Sequence, residues 1–257
     1  FFGEKNTSNI SIKHLGRCLT CLACETTCPS GVEYGDLIDI GRKHLEKTVS
    51  RPMANKIKRN LIISIFSKPT RVAFIFSLAR LFKLLLPFSL RKKIPPKSKT
   101  LKTTSSFSAE RKMLTIKGCV QSKAAPQINE AASKVLQHSN IQLDEAPTEC
   151  CGALAFHLTE LGKAKKTIQN NIDSWYKKLS GNYEYLLVTS SGCSSFIKQY
   201  STIMQTNEGY AEKAKFISAH CKDLSELAHE LNPHQSNTEH KTVAFHSPCT
   251  LQHGQKI

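Results

Sequence analysis

The stretch RCLTCLACETTCPSG, residues 17–31, places Cys18, Cys21, Cys24 and Cys28 in the pattern C-x2-C-x2-C-x3-C-P. Spacings of two residues allow a tightly coiled chain to turn several thiolates toward one centre, and the proline ends the coil after the last cysteine. Thiolates are the soft donors that iron-sulfur clusters require. The stretch therefore predicts a small helical head built around ligands for [4Fe-4S] clusters.

A zinc site is the main alternative for these four cysteines. Zinc sites usually pair two C-x2-4-C units across a longer insertion, which this run lacks. In proteins with two such clusters, the first three cysteines of a run bind one cluster and the fourth binds the other. Cys18, Cys21 and Cys24 would then serve one cubane and Cys28 a second. Because no second C-x2-C-x2-C run occurs among the 257 residues, we expect the matching run upstream of Phe1.

The use of cysteine indicates a reducing compartment. Of the ten cysteines, four crowd near the start, two are adjacent and the rest stand singly, unlike the disulfide framework of a small secreted domain. The first thirty residues lack the apolar core of a signal peptide, so a cytoplasmic location is expected. The chain begins at Phe1 rather than Met and stops at Ile257, just after a stretch with Cys and His, so both ends are expected to be cut.

The formal net charge of +16 is concentrated in one part of the chain. Residues 47–109 contain fifteen Lys or Arg and no Asp or Glu, whereas the rest of the chain is close to neutral. This distribution argues against a diffuse surface for nucleic acid, so no nucleic-acid partner is expected.

The same basic part carries three apolar runs, at residues 61–66, 72–79 and 84–90. None reaches the roughly 18 to 20 apolar residues that span a bilayer, and Pro69 and Pro87 divide the region into two short predicted helices. Such basic, apolar helices suit a partner subunit or an anionic membrane surface. Alternatively, their apolar faces pack on the rest of the molecule while the Lys and Arg side chains reach water. Residues 92–106 are typical of a linker.

Strand and helix patterns alternate from residue 110 onward. Strands are predicted at residues 112–117, 185–189 and 242–245, and helices at residues 126–138, 160–179 and 223–231. Such alternation predicts an α/β fold with a parallel sheet. The pairs Gly118-Cys119 and Pro248-Cys249 each follow a predicted strand, which suggests two related domains with the second truncated.

A second group of cysteines comprises Cys119, Cys150, Cys151 and Cys193. Cysteines at the carboxyl ends of successive parallel strands would converge at one edge of the sheet, where open α/β sheets bind ligands. The group is therefore a candidate metal site, although buried cysteines also serve as small apolar side chains. Cys221 matches no spacing and is expected in the core.

These motifs resemble the iron-sulfur subunit of glycolate oxidase, within the larger group of proteins that carry the cysteine-rich CCG domain. The resemblance rests on residues 17–42, on GCVQ (118–121), on CCGALAFH (150–157), on SGC (191–193) and on HSPCTLQHGQK (246–256). It implies two ferredoxin-type [4Fe-4S] clusters followed by two Rossmann-like CCG domains. On this basis residues 1–45 are part of the ferredoxin-type domain, 46–109 a basic helical segment and linker, 110–238 the first CCG domain and 239–257 the start of the second.

The family resemblance also implies a role as an electron relay. Such subunits pass electrons from an FAD-containing subunit that oxidises glycolate toward the quinone pool, at the inner face of the cytoplasmic membrane. Substrate chemistry would belong to the flavin subunit, because this chain has no nucleotide-binding glycine loop. Open alternatives are a relative that serves glycerol 3-phosphate, lactate or heterodisulfide reduction and, from another class, a zinc-stabilised basic module.

Residue by residue, the resemblance implies cubane ligands at Cys18, Cys21, Cys24 and Cys28. It aligns Cys119, Cys150, Cys151 and Cys193 with the first CCG motif, and Cys249 with the opening cysteine of the second. The CCG pattern ends in C-x-x-C, but Phe196 stands at the last position here, which leaves an additional cluster, a four-thiolate metal site or no metal. His157, His246 and His253 lie beside these motifs, either tuning a cluster through hydrogen bonds or serving as ordinary satisfied histidines.

Overall fold

The computed structural model describes residues 9–96, 109–148, 150–231, 242 and 244–257. Its first part is helical. The helices are α1 (Asn9–Arg17), α2 (Ala23–Thr26), α3 (Tyr34–Thr48), α4 (Met53–Phe66), α5 (Pro69–Leu81) and α6 (Phe88–Arg91), with a 3₁₀ turn at Lys83–Leu85. Pro69 opens α5, a position where the missing N–H of proline has no helical partner to lose. Two prolines thus separate three helices in the basic part of the chain.

The second part is a four-stranded parallel sheet covered by helices. The strands are β1 (Arg111–Ile116), β2 (Ile141–Glu145), β3 (Leu186–Val188) and β4 (Cys221–Asp223), in the order β2-β1-β3-β4. The helices are α7 (Gln121–Ala124), α8 (Gln127–His138), α9 (Ala153–His157), α10 (Leu161–Leu179), α11 (Ser191–Lys198), α12 (Tyr200–Met204), α13 (Ala211–Ala219) and α14 (Leu224–Leu231), followed by α15 (Cys249–Gln252).

The centre of the sheet is formed by β3 and by residues 113–116 of β1, which are buried on both faces. Leu114 and Leu186 are fully buried partners in register between β1 and β3. Helices cover both sides of a parallel sheet, so the sequence of a central strand is a continuous apolar run. The larger core lies against α10, whose Ile168, Ile172 and Trp175 recur at helical spacing and are fully buried. This packing fixes the sheet edge where β1, β2 and β3 end.

The predicted α/β fold, with its helical head and basic helical middle, is confirmed. The strands predicted at residues 112–117 and 185–189 and the three predicted helices appear with ends shifted by at most one residue. The strand predicted at residues 242–245 is wrong for residues 242, 244 and 245, since no described strand pairs with them and Phe245 is 81% exposed. Residue 243 and residues 97–106 of the predicted linker lie outside the described residues.

No single described helix has the length and apolar character needed to cross a bilayer. Helices α4 and α5 together meet that requirement by length and composition, but they are bent by 100° at the break between them.

An ion network around Glu46 joins the head, the basic middle and the α/β unit. The Glu46 carboxylate on α3 accepts hydrogen bonds from Arg51 Nε (2.6 Å), Arg59 Nη1 (3.0 Å) and Thr159 Oγ1 (2.7 Å). Arg59 on α4 also donates to the carbonyl of Leu158, just after α9. Burial alone would raise the pKa of Glu46, but the hydrogen bonds from Arg51 and Thr159 and the charges of Arg51 and Arg59 outweigh it and lower that pKa.

Replacement of Glu46 by Gln is expected to lower the free energy of unfolding by about 1–2 kcal/mol at neutral pH. Because the folded pKa lies below the unfolded value of about 4.3, the carboxylate stabilises the fold above that value, and this contribution is lost as pH falls through the folded pKa. Denaturant unfolding at several pH values measures the difference, which should shrink as the pH falls below about 4.3. A difference that persists in acid would contradict the assignment. Glu184→Gln, in a more exposed pair with Arg111, is the matched control.

Candidate metal centre

The cysteine run of the head lies in a loop between α1 and α3. Thr20 (φ 52°) and Leu22 (φ 60°) adopt left-handed backbone conformations, which turn the chain sharply between the cysteines. The Thr20 N–H points to Cys18 Sγ at 3.4 Å. Cys24 lies on α2, whereas Cys18, Cys21 and Cys28 lie in the flanking coil. The predicted ligands thus occupy one tight loop, with backbone N–H groups directed at sulfur.

The environment of Cys28 favours its thiolate. Backbone N–H groups of Val32 and Ser30 lower the pKa of Cys28, the hydroxyl of Tyr34 and the N–H of Gly31 add to this, and slight desolvation opposes it. Gly31 has φ of +63°, a conformation that glycine adopts without strain. The segment after the last cysteine is therefore shaped around a negatively charged sulfur.

Arg42 on α3 anchors the loop. It is buried (8% exposed), its Nε donates to the carbonyl of Leu15 at 3.2 Å, and its Nη2 donates to the carbonyl of Cys18. Glu25 Oε2 in turn accepts the backbone N–H of Gly35 at 3.0 Å. These contacts hold the start and middle of the cysteine loop against α3.

The second cysteine group meets at the carboxyl edge of the sheet, as predicted. Cys119 follows β1, Cys150 and Cys151 follow β2, and Cys193 lies in the first turn of α11 after β3. The Sγ atoms of Cys151 and Cys193 are 3.4 Å apart, and Cys119 and Cys150 form a second hydrogen-bonded pair. The edge therefore carries two thiol pairs from three connections of the sheet.

Within each pair one sulfur is the better thiolate. The hydrogen bond from Cys119 lowers the pKa of Cys150 to about 6 against the effect of burial, with help from the Gly152 N–H and the Ser67 hydroxyl. The hydrogen bond with Cys151 likewise lowers the pKa of Cys193, whereas the pKa values of both donating thiols are raised by those hydrogen bonds and by burial. Thiolates are the donors that soft metals prefer, so each pair offers one sulfur suited to a metal.

Residues 113–198 match the family model of a cysteine-rich domain, CCG. The matched residues include all four cysteines of the sheet edge, so this part of the chain is similar to a CCG domain, and we use that name for it below. It is 37% identical over 95% of its length to the glycolate oxidase iron-sulfur subunit of Escherichia coli K12, and 26% identical over 93% to the probable glycolate oxidase iron-sulfur subunit of Bacillus subtilis 168. The predicted resemblance is thus confirmed. The chain spans 61% and 60% of the lengths of these relatives. No solved structure matches the chain significantly.

A buried polar clamp in the CCG domain fixes the Cys150-Cys151 backbone. Asn171 Nδ2 on α10 lies 2.9 Å from both the Cys150 carbonyl and the Tyr200 hydroxyl, and that hydroxyl donates to the Cys151 carbonyl. Both side chains are almost completely buried. The two carbonyls of the adjacent cysteines are therefore satisfied by side chains from two helices, which orients both sulfurs.

Replacement of Tyr200 by Phe is expected to lower the free energy of unfolding by about 1–3 kcal/mol, because the Cys151 carbonyl is left buried without its donor. The Cys150-Cys151 turn should also loosen, so alkylation of Cys151 by iodoacetamide should become faster. Mass spectrometry of the alkylated peptides measures this rate. Tyr210→Phe, which removes an exposed hydroxyl contact to Asp173, is the matched control. Equal alkylation rates in the two variants would contradict the role of the clamp.

Phe196, at the last position of the C-x-x-C pattern, is a core residue of the CCG domain. It is 1% exposed and packs against Phe156 and His157, with ring centroids 5.3 Å and 5.8 Å away. Burial, and secondarily the charge of Arg42, lowers the pKa of His157. An apolar ring thus stands where a further thiolate would, beside a histidine whose pKa is lowered by burial.

The remaining predicted residues belong to neither thiol pair. Cys249 is exposed at the start of α15, and His246 is exposed. His253 Nδ1 lies 2.8 Å from Thr26 Oγ1, on the helix that carries Cys24. Cys221 is buried in β4, as expected for a core residue.

No group of three or more His, Cys, Asp or Glu side chains among the described residues is arranged to hold a single metal ion. Around a cubane, each thiolate binds a different iron, so the sulfurs stand farther apart than they do around one zinc ion.

Sequence reasoning did not single out Arg42, Asn171 or Tyr200. Asn171 did give a signal, since it lies on the apolar face of α10 between Ile168 and Ile172, where a polar side chain must find a buried partner. Its partners come from residues 21 and 29 positions away, which a local pattern does not reveal.

Proposed function

We propose that the chain is part of an iron-sulfur electron-transfer subunit of a flavin-dependent 2-hydroxy-acid dehydrogenase whose substrate is glycolate. The FAD-containing subunits would oxidise the substrate, and this chain would relay electrons toward quinone from the cytoplasmic face of the membrane. The names of the two relatives, both iron-sulfur subunits of glycolate oxidase, support the choice of substrate.

The observation that carries the proposal is the packing of the cysteine loop directly on the CCG domain. A cleft of about 320 Å³ between them is lined by Thr20 and Leu22 of the loop and by His157, Ser195 and Phe196 of the CCG domain. The contact of His253 with Thr26 adds a second bridge, and Arg42 holds the loop beside His157. Two sets of thiols in one packed unit suit a chain of single-electron carriers.

The donor set fits ferredoxin-type clusters. We assign Cys18, Cys21 and Cys24 to one cubane and Cys28 to another, and Cys119, Cys150, Cys151 and Cys193 to an additional cluster or metal. Cys249 would belong to the second CCG motif. Clusters of this kind accept and release single electrons at potentials tuned by hydrogen bonds to sulfur. The N–H groups around Cys18 and Cys28 orient these side chains, and Arg42 holds the loop.

Anaerobic purification of the full-length protein tests the cluster assignment. We expect a broad brown visible absorption that dithionite bleaches, with iron and acid-labile sulfide for two [4Fe-4S] clusters. Colourless protein with stoichiometric zinc would overturn the proposal. In the assembled complex, glycolate should bleach the same absorption, whereas bleaching by lactate or glycerol 3-phosphate alone would reassign the substrate.

A further inference from the structure

Large apolar side chains of the basic helical segment face solvent in the part of the chain that the structure describes. On α5 they recur at Phe74, Leu78 and Leu81, three or four residues apart, and so share one helix face. The surface continues through the following turn at Leu84, Leu85 and Phe88. Leu81, Leu84 and Leu85 are 76%, 81% and 80% exposed. We call these six side chains the apolar ridge.

The ridge is not the face by which this segment packs on the protein. That packing uses Ile63 of α4, which belongs to the main core, and Val72 of α5, which is completely buried. Helix α4 contacts α9, and α5 contacts α7. Because the segment is anchored through its other side, the ridge is left as an exposed apolar surface of the kind that marks an interaction site.

Two arginine side chains donate hydrogen bonds to backbone carbonyls in and after the turn that carries the ridge. Arg91 Nε donates to the carbonyl of Leu86 at 2.8 Å, and Arg91 Nη2 donates to the carbonyl of Leu84. Arg80 donates to the carbonyls of Pro95 and Pro96 at 3.0 Å and 3.1 Å. Four carbonyls around the exposed leucines are therefore satisfied within the chain. Such satisfaction is required where a backbone leaves water for a lipid interface.

The charged side chains of the segment that carries the ridge are all of one sign. Residues 48–109 contain no Asp or Glu. Lys83 lies within the ridge, and Lys92 and Lys93 follow it, all three with exposed side chains. A surface of large apolar side chains interleaved with lysines, without one carboxylate, is complementary to anionic lipid headgroups above acyl chains. A protein partner would have to match both features with an acidic, apolar surface.

We propose that the apolar ridge docks on an anionic bilayer surface, with Leu84 and Leu85 entering the interface and the lysines contacting headgroups. The docking rests on the proposed function only in that it would bring the electron relay to the quinone pool. It requires no helix to cross the bilayer. The 100° bend between α4 and α5 allows the ridge to meet the surface while α4 stays packed on the CCG domain.

Co-sedimentation of the full-length protein with vesicles tests the docking. We expect binding to vesicles that contain phosphatidylglycerol, little binding to pure phosphatidylcholine, and weakening by salt. Leu84→Gln with Leu85→Gln should reduce partitioning about tenfold or more. Lys83→Gln with Lys93→Gln should reduce it about fivefold for each cation removed. The matched control is Ile128→Gln with Val135→Gln, two similarly apolar side chains of α8 that are 42% and 49% exposed.

Absence of binding to phosphatidylglycerol vesicles at low salt would overturn the docking, as would equal losses in the ridge and control variants. If alkaline carbonate did not extract the bound protein from the vesicles, α4 and α5 would insert as a broken membrane span rather than dock on the surface. A concentration-dependent dimer that Leu84→Gln with Leu85→Gln abolishes, without vesicle binding, would assign the ridge to self-association. The visible absorption of each variant separates failure of the docking from failure of the proposed function. A protein that keeps its cluster absorption but does not bind vesicles would contradict the docking alone.

Discussion

Replacement of Cys21 by Ser is expected to cost the full-length protein one of the two [4Fe-4S] clusters proposed for it. A serine hydroxyl is a harder donor than a thiolate and is not ionised near neutral pH, so it binds cluster iron weakly. Iron and acid-labile sulfide per chain should fall by the content of one cubane. Electron paramagnetic resonance of the dithionite-reduced protein should lose one component while the other remains.

A parallel Cys28→Ser variant sharpens this test. Under the shared-ligand rule the last cysteine of the run serves the other cluster, so the two variants should lose different spectral components. Loss of the same component in both would mean that the run holds a single cluster. Cys221→Ala is the matched control, because that cysteine is a buried core residue of β4 and lies outside the cysteine run of the head. The iron content of Cys221→Ala should equal that of the unmodified protein. If Cys221→Ala lost as much iron as Cys21→Ser, the ligand assignment would be contradicted.

Replacement of Trp175 by Ala is expected to lower the free energy of unfolding by about 3–5 kcal/mol. Trp175 is completely buried on α10 and stacks on Tyr200 with a centroid distance of 6.2 Å and an interplanar angle of 4°. The loss is a large part of the roughly 5–15 kcal/mol that a domain possesses. Because Trp175 is the single tryptophan of the sequence, denaturant unfolding should be followed by far-ultraviolet circular dichroism rather than by fluorescence.

Two further variants test the origin of that loss. Trp175→Phe keeps an aromatic ring against Tyr200 and should cost clearly less than the alanine variant, because Trp175 Nε1 has no hydrogen-bond partner among the described residues. Phe245→Ala removes a ring that is 81% exposed and should change stability by less than about 0.5 kcal/mol. If Trp175→Ala cost no more than Phe245→Ala, the α10 core would not support the thiol site as the packing indicates.

Sequence patterns predicted the central strands well and the outer ones poorly. β1 and β3 are apolar runs buried on both faces, so composition alone identifies them. β2 is an edge strand with only Ile141 fully buried, and β4 has just three residues, Cys221–Asp223, two of them polar. Their conformation depends on pairing with a neighbour that lies far away in sequence. Local patterns do not carry that information.

The cysteine spacing of residues 18–28 by itself predicted thiolate ligands for clusters, because the type and local spacing of those ligands lie within eleven consecutive residues. Tertiary structure alone decided how the CCG thiols divide into two pairs, since Cys151 and Cys193 are 42 residues apart and meet only at the sheet edge. It also decided that Arg42, Asn171 and Tyr200 hold the cysteine-bearing segments in place. The sequence also did not determine that Leu84 and Leu85 are exposed. An apolar run can form a buried face or an exposed one, and its packing partners decide between them.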